Sequence, residues 1–389
     1  MKRYIFILIF IVSYCLNPIN CIAKNNEDTC TFDFYGNSIL LSYDKSFYNT
    51  YDEKIGDKSF DIFCKKMQKT NYKNLIKQLN SFSKSFQLDD LGFYLLLSQF
   101  VESAYENYSD NYKTLFKWFI LSKKGFSTYI AYNDKDLKIY GKFNIPLRGV
   151  KKIEVENESY FDLSFEQNKT STKWYLYNNS SNKKAQRKLS IDFNKNPLFK
   201  NDTISKTYKF YYDKEYVINA TINKSLIDYY NNMPQILLQK PYTYYKLSSY
   251  VKLSLISDLK KIINNRNQND AINIILSFVQ SLKYQADTLQ FGYERAFFPE
   301  ETLYYDYSDC EDRALLFACL VKELLGVKSI FIEYALHANI ALLIYPDKSN
   351  LKSITYKGQN YIICEPTMYG FKVGEIDKNR DFTNIIPLY

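Results

Sequence analysis

Three residue types suited to acyl transfer occur in this chain, in the order thiol, imidazole, carboxylate: Cys310, His337 and Glu365. Cys310 begins the stretch Cys310-Glu311-Asp312-Arg313-Ala314-Leu315-Leu316-Phe317, preceded by Ser308 and Asp309. Ser308 or Asp309 is a good helix N-cap, and Glu311 and Asp312 fall in a first turn, where acids suit the dipole. Ala314–Leu325 is apolar nearly all round, which predicts a buried central helix that Gly326 ends. A thiol at that position faces unpaired N–H groups, which favour the nucleophilic thiolate and can help hold an oxyanion. Glu311 and Asp312 oppose the thiolate, so it also needs an imidazolium partner.

His337 is the chain's one histidine. It lies in Ser329–Ile344, which reads as strand, brief irregularity, strand. A further strand, Tyr361-Ile362-Ile363-Cys364, follows a Lys357-Gly358-Gln359-Asn360 turn and delivers Glu365-Pro366-Thr367. Antiparallel strands packed on the helix can bring an imidazole and a carboxylate together, the acid fixing the ring's tautomer and stabilising its charged form. The plainer alternatives are an inert buried thiol, a structural imidazole and a strand-end surface acid. Cys319 and Cys364 read as core. A zinc site built from Cys310, Cys319, Cys364 and His337 lacks any close pair of cysteines. For a second oxyanion donor the upstream candidates are Gln285 and Gln290, with Gln290 preferred. The aromatic run Tyr304-Tyr305-Asp306-Tyr307 suits a substrate groove or core packing equally.

Asp-Cys-Glu-Asp-Arg-Ala at a helix start, His-Ala on a strand and Glu-Pro-Thr after another resemble the transglutaminase-like superfamily, over roughly 271–374. The resemblance implies a papain-like thiol arrangement, with Cys310 as nucleophile, His337 as general base and acid, and Glu365 as the residue that orients the ring. The chain departs from the family pattern by carrying Glu where Asp is usual. The implied reaction is attack on an amide or peptide bond through a thioester, with hydrolysis favoured over transfer to an amine and a protein or peptide as substrate. A non-catalytic binding or adhesion protein on the same scaffold is the alternative. As a whole the chain resembles exported Bacteroidetes proteins that carry such a domain.

The surrounding pattern predicts an α+β protein in several parts. Region 24–150 reads as helices, with Leu75, Leu79, Phe82 and Phe86 at helical spacing, followed by strands around an Asn133-Asp134 turn. Region 151–247 alternates in period two and reads as a β-rich middle domain. Region 248–389 reads as the catalytic domain, a central helix on an antiparallel sheet. Leu115-Phe116 precede Gly125 by the same distance as Leu316-Phe317 precede Gly326, and strand-like sequence follows both glycines. Region 24–150 therefore reads as a degenerate copy of the catalytic domain, against the alternative that buried helix, glycine and strand is a common arrangement.

Composition bounds the rest. Aromatics make up 17% of the 389 residues, too much apolar surface for a disordered chain. The net charge of +9 comes from scattered lysines rather than basic blocks, which argues against nucleic acid as a partner. Lys2 and Arg3, the apolar run Tyr4–Val12 and Cys21-Ile22-Ala23 read as a signal peptide over 1–23, too short for a membrane span. A periplasmic or extracellular protein beginning near Lys24 is expected. A lipid anchor on Cys21 is the alternative, with Asn20 a poor residue before a lipidated cysteine. Of seven cysteines five remain beyond the signal, an odd number that leaves at least one free thiol. Cys30 and Cys64 are the candidate disulfide. No cofactor or metal is implied.

Overall fold

The computed structural model describes residues 26–165, 173–177, 186–200, 202–236, 245–345, 351–377 and 381–388; the expected signal peptide and Cys21 lie outside them. The first half opens with a hairpin, β1 (Glu27–Phe34) and β2 (Asn37–Asp44). Four helices follow: α1 (Asp57–Met67), α2 (Tyr72–Ser85), α3 (Asp90–Ala104) and α4 (Asp110–Lys123). Strands β3 (Thr128–Tyr132), β4 (Leu137–Gly141), β5 (Lys152–Val155), β6 (Glu158–Asp162) and β7 (Tyr175–Leu176) then form one antiparallel sheet in the order β5-β6-β4-β3-β7.

The second half repeats this plan. A hairpin, β8 (Thr203–Tyr211) and β9 (Glu215–Asn223), leads into α5 (Lys224–Asn231), a helical stretch over 249–263 (α6) and α7 (Gln268–Gln280). An insertion carries β10 (Lys283–Tyr284), α8 (Asp287–Gln290), α9 (Pro299–Tyr304) and β11 (Tyr307–Ser308). The central helix α10 (Cys310–Leu325) comes next, then β12 (Ser329–Tyr334), β13 (His337–Leu342), β14 (Ser353–Tyr356), β15 (Gln359–Cys364) and β16 (Phe382–Pro387). Their sheet order is β14-β15-β13-β12-β16, the order of the first sheet strand for strand.

The correspondence extends to register. A constant spacing of 201 residues relates Ser109–Ser164 to Cys310–Glu365, carrying α4 onto α10 and β3–β6 onto β12–β15. Inward positions match: Ile130, Ile139, Phe161 and Leu163 face the main core, as do Phe331, Ile340, Ile362 and Cys364. Outward positions match as well, with Ala131, Tyr140 and Tyr160 in one minor cluster and Ile332, Ala341 and Tyr361 in another. In each half the helix before the central one packs on the hairpin. Two tandem copies of one topology build the chain.

The fold class is mixed α+β with antiparallel sheets, as expected. The strands expected to form a separate β-rich unit over 151–247 are divided. β5–β7 complete the first sheet beside β3 and β4, while the β8–β9 hairpin packs on α6 and α7 of the second half. Period-two alternation shows that a segment is a strand and which of its faces is buried, but not which sheet it joins. The main core runs through both halves, and Phe298 of the second half packs on Phe193, which precedes it, with ring centroids 5.7 Å apart. Among the described residues no helix is long and apolar enough to cross a membrane. Cys30, on the hairpin, and Cys64, in α1, are both free thiols, so the expected disulfide is not formed.

Glu300 ties the start of α6 to α9. Its fully buried carboxylate accepts the backbone N–H of Ser248 at 2.5 Å and the Ser248 hydroxyl at 3.0 Å. Two neutral donors do not offset the loss of hydration, and burial pushes the carboxyl up to about 7. The folded protein therefore binds this proton more tightly than the unfolded chain. The stability it contributes is complete below about pH 4.5 and is lost as the pH rises through about 7. Glu300→Gln, uncharged at every pH, is expected to flatten that slope and to stabilise the protein at pH 8 by on the order of 2 kcal/mol. Thermal melts of both proteins between pH 4.5 and 8 measure the difference, and parallel curves would refute it.

Candidate active site

Asp309 caps α10, its Oδ1 accepting the N–H groups of Glu311 at 3.0 Å and Asp312 at 3.1 Å. Asp312 reaches back, with Oδ2 accepting the Asp309 N–H at 3.3 Å and Oδ1 accepting the N–H of Phe297 at 2.8 Å. This reciprocal capping box fixes the first turn and anchors the inserted segment to it. Cys310, the first residue of the helix, is half-buried, and its sulfur is near enough to the backbone N–H of Ala338 for that amide to favour the thiolate. The thiol thus lies against the second residue of β13, one peptide unit from His337.

The expectation of a thiolate favoured by the helix start is corrected. Burial first, then Asp309 and Glu311, push the Cys310 thiol up to about 12, and the Ala338 N–H only partly opposes them. Burial and Asp309 likewise push Glu311 up to about 7. A half-dipole at a helix terminus is a weaker influence than desolvation combined with acids on either side.

His337 Nε2 lies 2.7 Å from Glu365 Oε2, with side-chain exposures of 9% and 2%. The longer arm of Glu reaches the ring. The other carboxylate oxygen, Oε1, accepts the N–H groups of Thr367 at 3.0 Å and Met368 at 3.4 Å. Gln280, buried in α7, donates to the carbonyls of Glu365 at 2.8 Å and Phe371 at 2.9 Å, which holds the segment after β15 in place. With its amide oriented to satisfy its neighbours, buried Asn339 donates to Glu365 Oε2 at 3.0 Å and to the Ala338 carbonyl at 2.9 Å, and stands 3.1 Å from His337 Nε2. The ring's Nε2 is thereby committed to the acid, and Nδ1 is the nitrogen left for a thiol. Along β13 the side chains of Ala338, Ile340 and Leu342 join the core around α10, whereas His337 pairs across the strands with Tyr334 on the other face. Imidazole and thiol therefore lie on different faces of the sheet near the start of β13, and no hydrogen bond joins them among the described residues.

Sequence reasoning missed Asn339 and Tyr284. Asn339 reads as one more alternating strand residue, and its role depends on the register of β13 against β15. Tyr284, mostly exposed, lies close enough to Cys310 and Asp309 for their charges to bear on its hydroxyl, and the Arg313 guanidinium stands 5.6 Å from its ring. Gln290 sits in α8 with its Oε1 buried and without a partner. The parallel pairing of β10 with β11 brings Gln285 instead to the residues leading into Cys310, its N–H donating to the Ser308 carbonyl at 3.3 Å. Tyr305 stacks on Phe297, centroids 4.9 Å apart, and so is a packing residue, while Tyr307 is partly exposed. Cys364 is fully buried and Cys319 half-buried. Among the described residues no group of three metal-binding side chains includes a cysteine or His337.

The 201-residue spacing places Ser109, Asp136 and Ser164 where the second half has Cys310, His337 and Glu365, and Lys138 where it has Asn339. Ser109 donates to Glu53 at 2.5 Å and caps α4, and Lys138 pairs with buried Asp162 at 2.6 Å. The first copy has no thiol and no imidazole at these positions. Searches with the whole chain found no matching family model, no matching curated protein and no matching solved structure.

Proposed function

We propose that the second copy is an exported, transglutaminase-like cysteine enzyme that acts on amide or peptide bonds of a protein or peptide. The observation that carries this reading is the buried 2.7 Å His337–Glu365 pair, held by Asn339, one peptide unit from a thiol at the start of a buried helix. With the thiol pushed up to about 12, the reaction starts from a neutral thiol rather than a standing thiolate. As Sγ attacks the carbonyl carbon, its proton passes to His337 Nδ1 and the carbonyl electron pair moves onto oxygen. The Cys310 N–H, which Asp309 does not cap, stabilises that oxyanion, and Glu365 stabilises the imidazolium. Collapse breaks the C–N bond, and the leaving amine takes the proton from the imidazolium. Water, favoured, or a primary amine then attacks the thioester, giving its proton to the ring, and Sγ leaves as the thiol.

A second reading, a binding or adhesion protein on the same scaffold, draws on the raised thiol and on the strand alternation that turns His337 away from α10. Alkylation of Cys310 between pH 6 and 9 separates the two. A working pair is expected to label at least about 10-fold faster than an isolated buried thiol and to lose that advantage in His337→Ala. Slow labelling, equal in both proteins, would favour the scaffold.

A further inference from the structure

Exposed apolar side chains collect on the segments that frame the candidate site. Leu336 is 95% exposed at the turn that joins β12 to β13, and the residue after it is His337. Hairpin turns are ordinarily built from glycine and short polar residues. At the 201-residue spacing the first copy has polar residues there, with Asp134 and Lys135 in place of Ala335 and Leu336. Tyr369 is more than half exposed, although the backbone on both sides of it is fixed. The Met368 N–H donates to Glu365 Oε1 at 3.4 Å, and the Gly370 N–H to Gln280 Oε1 at 3.2 Å. Tyr284, also more than half exposed, lies beside Cys310, and Leu289, 78% exposed, stands on α8 in the inserted segment.

Single exposed apolar residues are ordinary on a protein surface and need no partner. These four sit on segments that carry His337, follow Glu365 or lead into Cys310. The copy without the thiol has a lysine at the turn and lacks the inserted segment, so the apolar character goes with the thiol rather than with the fold. Charge narrows what can cover these residues. Asp309, Glu294 and Glu333 all bear on Glu311, opposed by Arg148. A carboxylate brought to the thiol would meet those acids at close quarters, and an apolar side chain would not.

We propose that this rim binds an extended polypeptide segment with bulky apolar side chains on both sides of the amide that Cys310 attacks, and that it rejects acidic segments. The inference rests on the reading of Cys310 as nucleophile and adds the sequence of the substrate to it. Successive residues of an extended chain advance about 3.3 Å, with side chains alternating, so the neighbours of the reacting residue fall on different parts of the rim. Leu336 and Tyr369 receive them on the imidazole's side, and Tyr284 and Leu289 on the thiol's. Segments of this kind are buried in folded proteins, which makes an unfolded or loosely folded polypeptide the substrate.

The test uses the full chain carrying Cys310→Ala and three short labelled peptides, read by fluorescence anisotropy. The peptides share a central glutamine flanked on both sides by leucine, serine or aspartate. The leucine peptide is expected to bind at least about 10-fold more tightly than the serine peptide, and the aspartate peptide more weakly than either. Leu336→Ser and Tyr284→Ser, both at solvent-facing positions, are each expected to weaken the leucine peptide about 5-fold or more. Leu253→Ser, at a similarly exposed leucine on α6, is expected to leave it unchanged. Equal binding of the leucine and serine peptides, no binding of any peptide, or a preference that survives both rim substitutions would overturn the proposal. A dimer of the native chain that Leu336→Ser dissolves would do the same, because a second copy would then cover the rim. Turnover by the native chain is read separately. Selective binding of the leucine peptide without turnover would keep the rim and end the enzyme reading, whereas turnover of all three peptides at equal kcat/KM would keep the enzyme and end the rim.

Discussion

Cys310→Ala is expected to lower ammonia release from glutamine-containing peptides by at least about 10⁴-fold, to background, with and without an added amine. His337→Ala is expected to lose about as much, and the double variant no more than either alone, because nucleophile and base act as one unit. Glu365→Gln keeps an acceptor for His337 Nε2 but no longer stabilises the imidazolium, and a loss on the order of 10²–10⁴-fold is expected. Cys310 sits at a half-buried helix start, so removing one sulfur is expected to move Tm by only about 2 °C. Unchanged turnover in Cys310→Ala would end the cysteine mechanism whatever the fold. Incorporation of the amine, rather than free acid, would place the enzyme among transferases.

The parts of the site legible in the sequence are those whose signals are local. Asp309 as cap, acids in the first turn and Gly326 in the left-handed region at φ 66° follow from helix-terminus chemistry and stand where the pattern put them. The order of thiol, imidazole and carboxylate was legible too. What escaped depends on partners distant in sequence. Asn339 matters because β13 is registered against β15, and β5 with β6 belong to the first sheet because β6 pairs with β4 and β5 with β6. The thiol's affinity for its proton was misjudged because the neighbouring acids are visible in sequence while the burial of Cys310, the larger influence, is not.

The repeat is an intermediate case. Leu115, Phe116, Gly125, Ile139, Ile153 and Tyr160 recur at the 201-residue spacing as Leu316, Phe317, Gly326, Ile340, Ile354 and Tyr361, but most positions share only a buried or exposed character. That is what packing requires of two copies of one topology, since a core accepts many side chains of suitable volume. The inserted segment between α7 and α10 has no counterpart in the first copy, and it leads directly into the turn that carries Cys310. The difference between the halves is therefore concentrated where the thiol is.

Arg313→Met is expected to be the most destabilising single change near the site, by on the order of 3–5 kcal/mol. The guanidinium is 1% exposed and forms no direct carboxylate pair among the described residues. It donates instead to the Thr367 carbonyl at 2.9 Å, to the Leu282 carbonyl and to Ser308 Oγ at 3.3 Å. Replacing a buried charge with an apolar side chain removes its own desolvation cost, which by itself would stabilise. Here the acceptors stay behind: two partly buried carbonyls and a buried hydroxyl lose their partner, at about 1–3 kcal/mol each. The second effect wins. The three acceptors also lie on three separate segments: Leu282 precedes β10, Ser308 precedes Asp309 and Cys310, and Thr367 follows Glu365. Arg313 thus fixes the thiol's segment relative to the carboxylate's. Arg313→Lys, with a point charge that can satisfy only part of this set, is expected to recover about half of the stability while turnover stays at least 10-fold low. Urea melts and steady-state rates on the two variants check this. Full activity in a stable Arg313→Met would show that the segments hold their places without it.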